Sequence, residues 1–174
     1  IKGYDPETEL YTLDIPNKEI RVGLYRSLLP NYIGMNTVKG TTTIAKMSAL
    51  IRRNDMDGAM QMLQAYLATV PYCNNADSEG HYQQMMYVIF SILDNYVDVE
   101  VRTPSGRVDM VLRTATHLYL FELKLNKDAD AAMKQIDLKE YPKRFALSGL
   151  PIVKVGVNFD VATHNITDWK IEAE

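Results

Sequence analysis

The run His117-Leu118-Tyr119-Leu120-Phe121-Glu122-Leu123-Lys124-Leu125 constrains the fold more than any other part of the chain. Read as a strand, it puts Tyr119, Phe121, Leu123 and Leu125 on one face and Leu118, Leu120, Glu122 and Lys124 on the other. A strand this apolar on both faces belongs in the middle of a sheet covered on both sides. Its neighbours agree. Ser78 can cap a long helix over residues 79–93, Asp94-Asn95 turns the chain, and residues 96–102 alternate and are β-branched. Thr103-Pro104-Ser105-Gly106 has Pro and Gly where a type I turn favours them, so residues 107–113 are expected to return as a hairpin partner. Asp128 opens a helix reaching Lys139, a short helix follows Pro142, and residues 151–159 and 164–171 read as two more strands. This order predicts an α/β fold, a mixed central sheet flanked by helices.

Residues 1–75 read differently. Gly3, Pro6 and Pro16 punctuate an extended lead-in. From an Asn17 cap and Glu19, the residues Ile20, Leu24, Leu28 and Leu29 recur at helical spacing up to Pro30. Two further helices are expected: 43–54, with Ile44, Met47, Leu50 and Ile51 on one face, and one capped by Asp55 and stopped by Pro71. In the latter Met56, Met60, Leu63 and Leu67 line up, and Met56, Met60 and Met62 suit core or interdomain packing rather than a cofactor site. The division expected is a linker and helical subdomain over 1–75 and the α/β domain over 76–174.

Composition narrows the function classes. At 47% hydrophobic and 24% charged, the 174 residues are not those of a disordered chain. No apolar run approaches the roughly 18 residues that span a bilayer. The lone Cys73 forms neither an internal disulfide nor a cysteine zinc cage, which suits a reducing cytoplasm. A net charge of -3 argues against a general nucleic-acid coat but leaves room for an enzyme that reaches nucleic acid through a carboxylate-held metal. Residues 1–75 carry 8 Lys+Arg against 7 Asp+Glu, leaving 11 against 15 for residues 76–174, where the negative excess lies. The first residue is Ile1 with no basic, apolar leader, so the chain is expected to be the tail of a longer protein.

The chemistry concentrates on two strands. A buried carboxylate such as Glu122 is costly unless it is paired, hydrogen-bonded or bound to metal. In Arg107-Val108-Asp109-Met110-Val111-Leu112 the even positions form an apolar face, and Asp109 stands on the other. Pairing of the two strands would set Asp109 against Glu122, and two carboxylates together need a cation between them. Lys124 offers one; a hard divalent ion, Mg²⁺ or Mn²⁺, offers a better one. Two readings stand at this point: a structural Glu122–Lys124 pair beside a solvated Asp109, or a metal site.

Gly106-Arg107-Val108-Asp109 followed by Glu122-Leu123-Lys124 resembles the PD-(D/E)XK nuclease superfamily. Within it, the chain is similar to the domain that follows an AAA-ATPase-like domain in many bacterial proteins. Glu79-x-x-Tyr82-Gln83, Ala132-x-x-Gln135-Ile136 and Val155-Gly156-Val157-Asn158-Phe159 fit that subfamily, and the resemblance covers about Asp77 to Trp169. Tyr4-Asp5-Pro6-Glu7-Thr8, Leu10-Tyr11 and Pro16-Asn17-Lys18-Glu19 resemble the linker leaving the ATPase-like domain. The resemblance implies a restriction-endonuclease-like core in which Asp109, Glu122 and Glu79 hold Mg²⁺ or Mn²⁺, with the Leu123 carbonyl as a further ligand. Lys124 would position and polarise the attacking water, and Gln135 would orient Lys124 or a phosphate.

The implied reaction is in-line hydrolysis of phosphodiester bonds in DNA or RNA. Nucleic acid and the ATPase-like domain are the implied partners, without a membrane. Val108 stands where the wider superfamily often has Pro. Simpler roles remain open for several residues. Glu79 suits a helix first turn, and Gln135 a packing boundary. Arg107 can pair with Asp109 or Glu100, His81 can be structural, and Lys139, Lys143 and Arg144 can be a solvated face rather than a basic patch. The alternative function is the same fold kept as a silent module for protein interaction or regulation.

Overall fold

Five strands, between residues 96 and 173, pair in the order in which they follow one another along the chain to form the central sheet of the protein. The structure, a computed structural model, describes residues 2–12, 15, 17, 19–20, 23–24, 27, 37–69, 79–92 and 96–174, with only the backbone at 37–41, 79, 96 and 99. The strands are β3 (Tyr96–Thr103), β4 (Gly106–Arg113), β5 (Leu118–Leu125), β6 (Ile152–Asp160) and β7 (Asn165–Ala173). β5 and β6 run parallel and every other neighbouring pair is antiparallel. A parallel neighbour needs a crossover, here α4 (Ala129–Leu138), α5 (Tyr141–Phe145) and a 3-10 turn at Ala146–Ser148. The α/β expectation, a mixed sheet flanked by helices, therefore holds.

The apolar residues of β5 divide as alternation requires. Tyr119, Phe121 and Leu123 join Met110, Leu112 and Val153, Val155, Val157 and Phe159 in a core covered by three helices. These are α1 (Thr37–Arg52), α2 (Met56–Leu67) and α3 (Glu79–Ile92). Leu118 and Leu120 turn the other way, onto Met133, Ile136 and Tyr141 of α4 and α5. Asp55 caps α2 through a 2.8 Å bond from the Gly58 N–H, and the Met56 and Met60 stripe is core, as its spacing suggests. Among the described residues no helix is long and apolar enough to cross a membrane.

Several details differ from or refine the expectations. The lead-in is a hairpin: β1 (Gly3–Asp5) pairs with β2 (Leu10–Thr12), because the Asp5 carboxylate closes the turn by accepting from the Glu7 N–H and the Thr8 hydroxyl, each at 2.9 Å. The Ile20 N–H bonds to the Asn17 side chain at 2.9 Å, as the expected cap would, and Ile20 and Leu24 are exposed. Lastly, Val108 does not share a face with Met110 and Leu112; it packs with Val111, Leu120 and Tyr141. The cause is local. The β3–β4 register pairs Val99 with Met110 and Val101 with Val108 but skips Glu100 and Asp109, and Glu100 holds a left-handed φ of 53°. Such a break re-aims the side chains around it. α1 also starts at Thr37, earlier than expected. Leu28, Leu29, Pro30, Pro71, Cys73, Ser78 and the Asp94-Asn95 turn lie outside the described residues.

Candidate active site

The β4–β5 ladder runs from Arg113↔Leu118 to Met110↔Phe121 and ends there. Past its end the Asp109 side chain replaces it, Oδ2 accepting the Leu123 N–H at 2.8 Å. Asp109 thus meets β5 through its carboxylate, beside Glu122, beyond the last paired residues. One residue on either side of Leu123 along β5, Glu122 and Lys124 share the α4 face of the sheet. Both are buried, Glu122 at 1% relative exposure and Lys124 at 7%. The Lys124 ammonium donates to Glu122 Oε1 at 2.8 Å and to the Leu123 carbonyl at 3.0 Å. Asp109, Glu122 and Lys124 are therefore brought together at one end of the sheet.

Packing roofs this cluster. Gly156 is the β6 partner of Glu122, and a Cβ there would lie 2.7 Å from the Ala129 carbonyl and 3.0 Å from both Ala132 and Met133 side chains. Only a bare backbone lets α4 come this close. From the other side of the sheet, Gln83 of α3 donates to the Asp109 carbonyl at 2.8 Å. From α5, the Tyr141 hydroxyl donates to the Arg107 carbonyl at 2.6 Å. Burial raises the Tyr141 hydroxyl above its usual range; a hydrogen bond with Gln135 lowers it, and the Glu122 and Asp109 charges raise it again. Tyr141 is thus a member of the site's electrostatics, linking α4, α5 and the start of β4.

The remaining expected residues divide. Gln135 is half-buried and joins the site through Tyr141. Glu79 opens α3 one turn before Gln83, on the same helical face; its side chain is outside the described residues. Of its two expected partners Arg107 takes Glu100, 3.1 Å from its Oε1. His81 is half-buried, its ring edge-on to Tyr82 with centroids 5.5 Å apart, and burial lowers its pKa. Lys139, Lys143 and Arg144 are exposed, and Lys143 pairs with Glu140. Gly156 and Tyr141 had no assigned part in the sequence reading. A glycine inside a β-branched strand was a usable signal of close approach; Tyr141 had none, being 34 residues from its partner.

Among the described residues no three His, Cys, Asp or Glu side chains converge on a metal position. Two carboxylates and a carbonyl do gather around Leu123, and they are hard oxygen donors of the kind Mg²⁺ uses while keeping several waters. The fit is visible in the Lys124 ammonium, a cation already resting on two of these oxygens, Glu122 Oε1 and the Leu123 carbonyl.

Comparison with known proteins agrees with this geometry. Residues 77–169, more than half of the chain, match the PD-(D/E)XK nuclease superfamily. The chain belongs to that superfamily. It is also 31% identical over 170 residues to an uncharacterised protein from the vnfD 5′ region of Azotobacter chroococcum mcd 1, a match covering 94% of this chain. The chain spans about a third (33%) of that relative's length. The superfamily match takes in β3 to β6, α3 to α5 and much of β7, and so every residue of the cluster. Nucleases of this superfamily typically use divalent metal ions, and the match identifies a nuclease-type fold over residues 77–169.

Proposed function

We propose that this PD-(D/E)XK domain is a metal-dependent phosphodiesterase that cleaves DNA or RNA. The convergence of Asp109, Glu122 and Lys124 past the end of the β4–β5 ladder carries this reading. Asp109, Glu122 and the Leu123 carbonyl would hold Mg²⁺ or Mn²⁺, and Glu79 would add a carboxylate from the start of α3. When bound, such an ion neutralises phosphate charge and makes water a better nucleophile. Lys124 holds the attacking water and offsets charge developing on the phosphoryl oxygens. Gln135, steadied by Tyr141, orients Lys124 or a phosphate oxygen. The α4 roof keeps bulk water from Glu122.

The domain would serve as the C-terminal part of a longer bacterial cytoplasmic protein, with residues 1–75 as the linker and helical subdomain leading from an ATPase-like domain. The much greater length of the Azotobacter relative supports a larger protein. One observation favours the silent-module reading: two of the nearby cations are already matched, Arg107 by Glu100 and Lys143 by Glu140, which weakens their hold on a phosphate backbone. Incubation of plasmid DNA, single-stranded DNA and RNA with Mg²⁺ or Mn²⁺ decides between the two. Cleavage that falls about a hundredfold or more in Asp109→Asn, Glu122→Gln and Lys124→Met supports the enzyme. An inert wild-type protein on all three substrates supports the module.

A further inference from the structure

Lys124 holds the two oxygens that the proposed metal would need, Glu122 Oε1 at 2.8 Å and the Leu123 carbonyl at 3.0 Å. We propose that Lys124 is a built-in competitor of the divalent cation: its ammonium occupies the site until metal arrives and is then released to act on water and phosphate. This inference rests on the metal-dependent reading above.

The physical case begins with Glu122. At 1% exposure its carboxylate cannot rely on solvent, so the fold without metal keeps a positive charge beside it. Lysine suits a part that must both sit and leave, because its ammonium is a compact point charge on a flexible four-carbon stem. The same two contacts make it a rival. A divalent ion on Glu122 Oε1 and the Leu123 carbonyl would sit within bonding reach of the ammonium already there, and two positive charges that close repel. The measured metal affinity is then the intrinsic affinity reduced by the work of moving Lys124 aside. Asp109 is anchored to β5 by its own hydrogen bond. Its Oδ2 accepts the Leu123 N–H at 2.8 Å, a contact that moving Lys124 does not break, so it would serve as a fixed donor while Glu122 changes partner.

The experiment is Mn²⁺ binding by calorimetry together with thermal unfolding, on wild type, Lys124→Met, Lys124→Gln and Asp109→Asn. Competition predicts that Lys124→Met binds Mn²⁺ about tenfold or more tightly than wild type, equivalent to about 1.4 kcal/mol. It also predicts that Lys124→Met melts below wild type without metal, since Glu122 has lost its cation, and regains more on adding Mn²⁺. Lys124→Gln, which keeps a donor for Glu122 without the charge, makes the same prediction in milder form and serves if Lys124→Met does not fold. Equal or weaker Mn²⁺ affinity in a folded Lys124 variant overturns the competition. If Asp109→Asn still loses binding in that case, the metal site itself stands. Failure of wild type and both Lys124 variants to bind Mn²⁺ overturns the competition and the metal reading together.

Discussion

Two buried lysines lie on the same face of the sheet, and they are held in opposite ways. Lys154 of β6 is the register partner of Leu120, and Lys124 lies four residues further along β5. The Lys154 ammonium reaches outward, to Asp137 at 2.9 Å and Glu172 at 3.3 Å, carboxylates whose side chains are 58% and 41% exposed. It buries its stem, keeps its charge at the surface, and ties α4 to β7. Lys124 reaches inward to a carboxylate that is 1% exposed. The first arrangement needs no explanation beyond packing. The second takes two charges out of water, where an apolar pair of similar volume would do as well or better for stability. What the difference teaches is that burial of a lysine says little; the exposure of its partner separates a strap from a candidate catalytic group.

The contrast can be broken most directly by removing partners. Glu122→Ala leaves the Lys124 charge buried without that carboxylate and is expected to cost about 3–5 kcal/mol in urea unfolding. Lys154→Met, which loses only pairs with exposed carboxylates, is expected to cost about 1 kcal/mol or less. Similar costs for the two would erase the distinction. Next in size, Gly156→Ala pushes a methyl into the Ala129 carbonyl and the Ala132 and Met133 side chains, for an expected loss of about 1–3 kcal/mol. Because Gly156 lies beside Glu122, the same variant is expected to weaken Mn²⁺ binding; unchanged stability and affinity would mean α4 does not roof the site.

Tyr141→Phe keeps the ring and deletes the hydroxyl's hydrogen bonds, to the Arg107 carbonyl and with Gln135, so about 1–3 kcal/mol is expected. A drop in cleavage larger than that loss implies would mark Tyr141 as a positioning residue, whereas proportionate losses would leave it a structural one. The smallest effect is the pH dependence of the Lys154 strap. The Asp137 hydrogen bond, the largest cause, raises the Lys154 pKa above 10.5, partly offset by burial and reinforced by Glu172. A raised folded-state pKa for a cation means its stabilisation is complete below the unfolded value of 10.5 and fades as pH rises through the higher folded one. Unfolding curves of wild type and Lys154→Met should converge only in that alkaline range; convergence near neutral pH would refute the strap.

Much of this was legible because it is local. Alternation along residues 118–125 fixed which face each side chain of β5 would take, and that put Glu122 and Lys124 together on one face. The Pro104-Ser105-Gly106 turn brought Asp109 back alongside. Capping by Asp55 and by Asp128, which accepts the Ala131 N–H at 2.6 Å, was equally local and equally readable. The skipped pair at Glu100 and Asp109 was not, because it depends on how two strands meet rather than on the residues of either, and it alone turned Val108 to the other face. Tyr141, Gln83 and Gly156 become part of the site through partners that are 34, 26 and 34 residues away along the chain.

By itself, then, the sequence determined the elements, the order of helices and strands, and the three charged residues worth suspecting, since periodicity and turn chemistry act over a few residues. Which oxygen the Lys124 ammonium rests on and how closely α4 covers Glu122 were decided only by tertiary structure. Those are outcomes of packing between distant segments, where shape and burial, not local pattern, choose the partner.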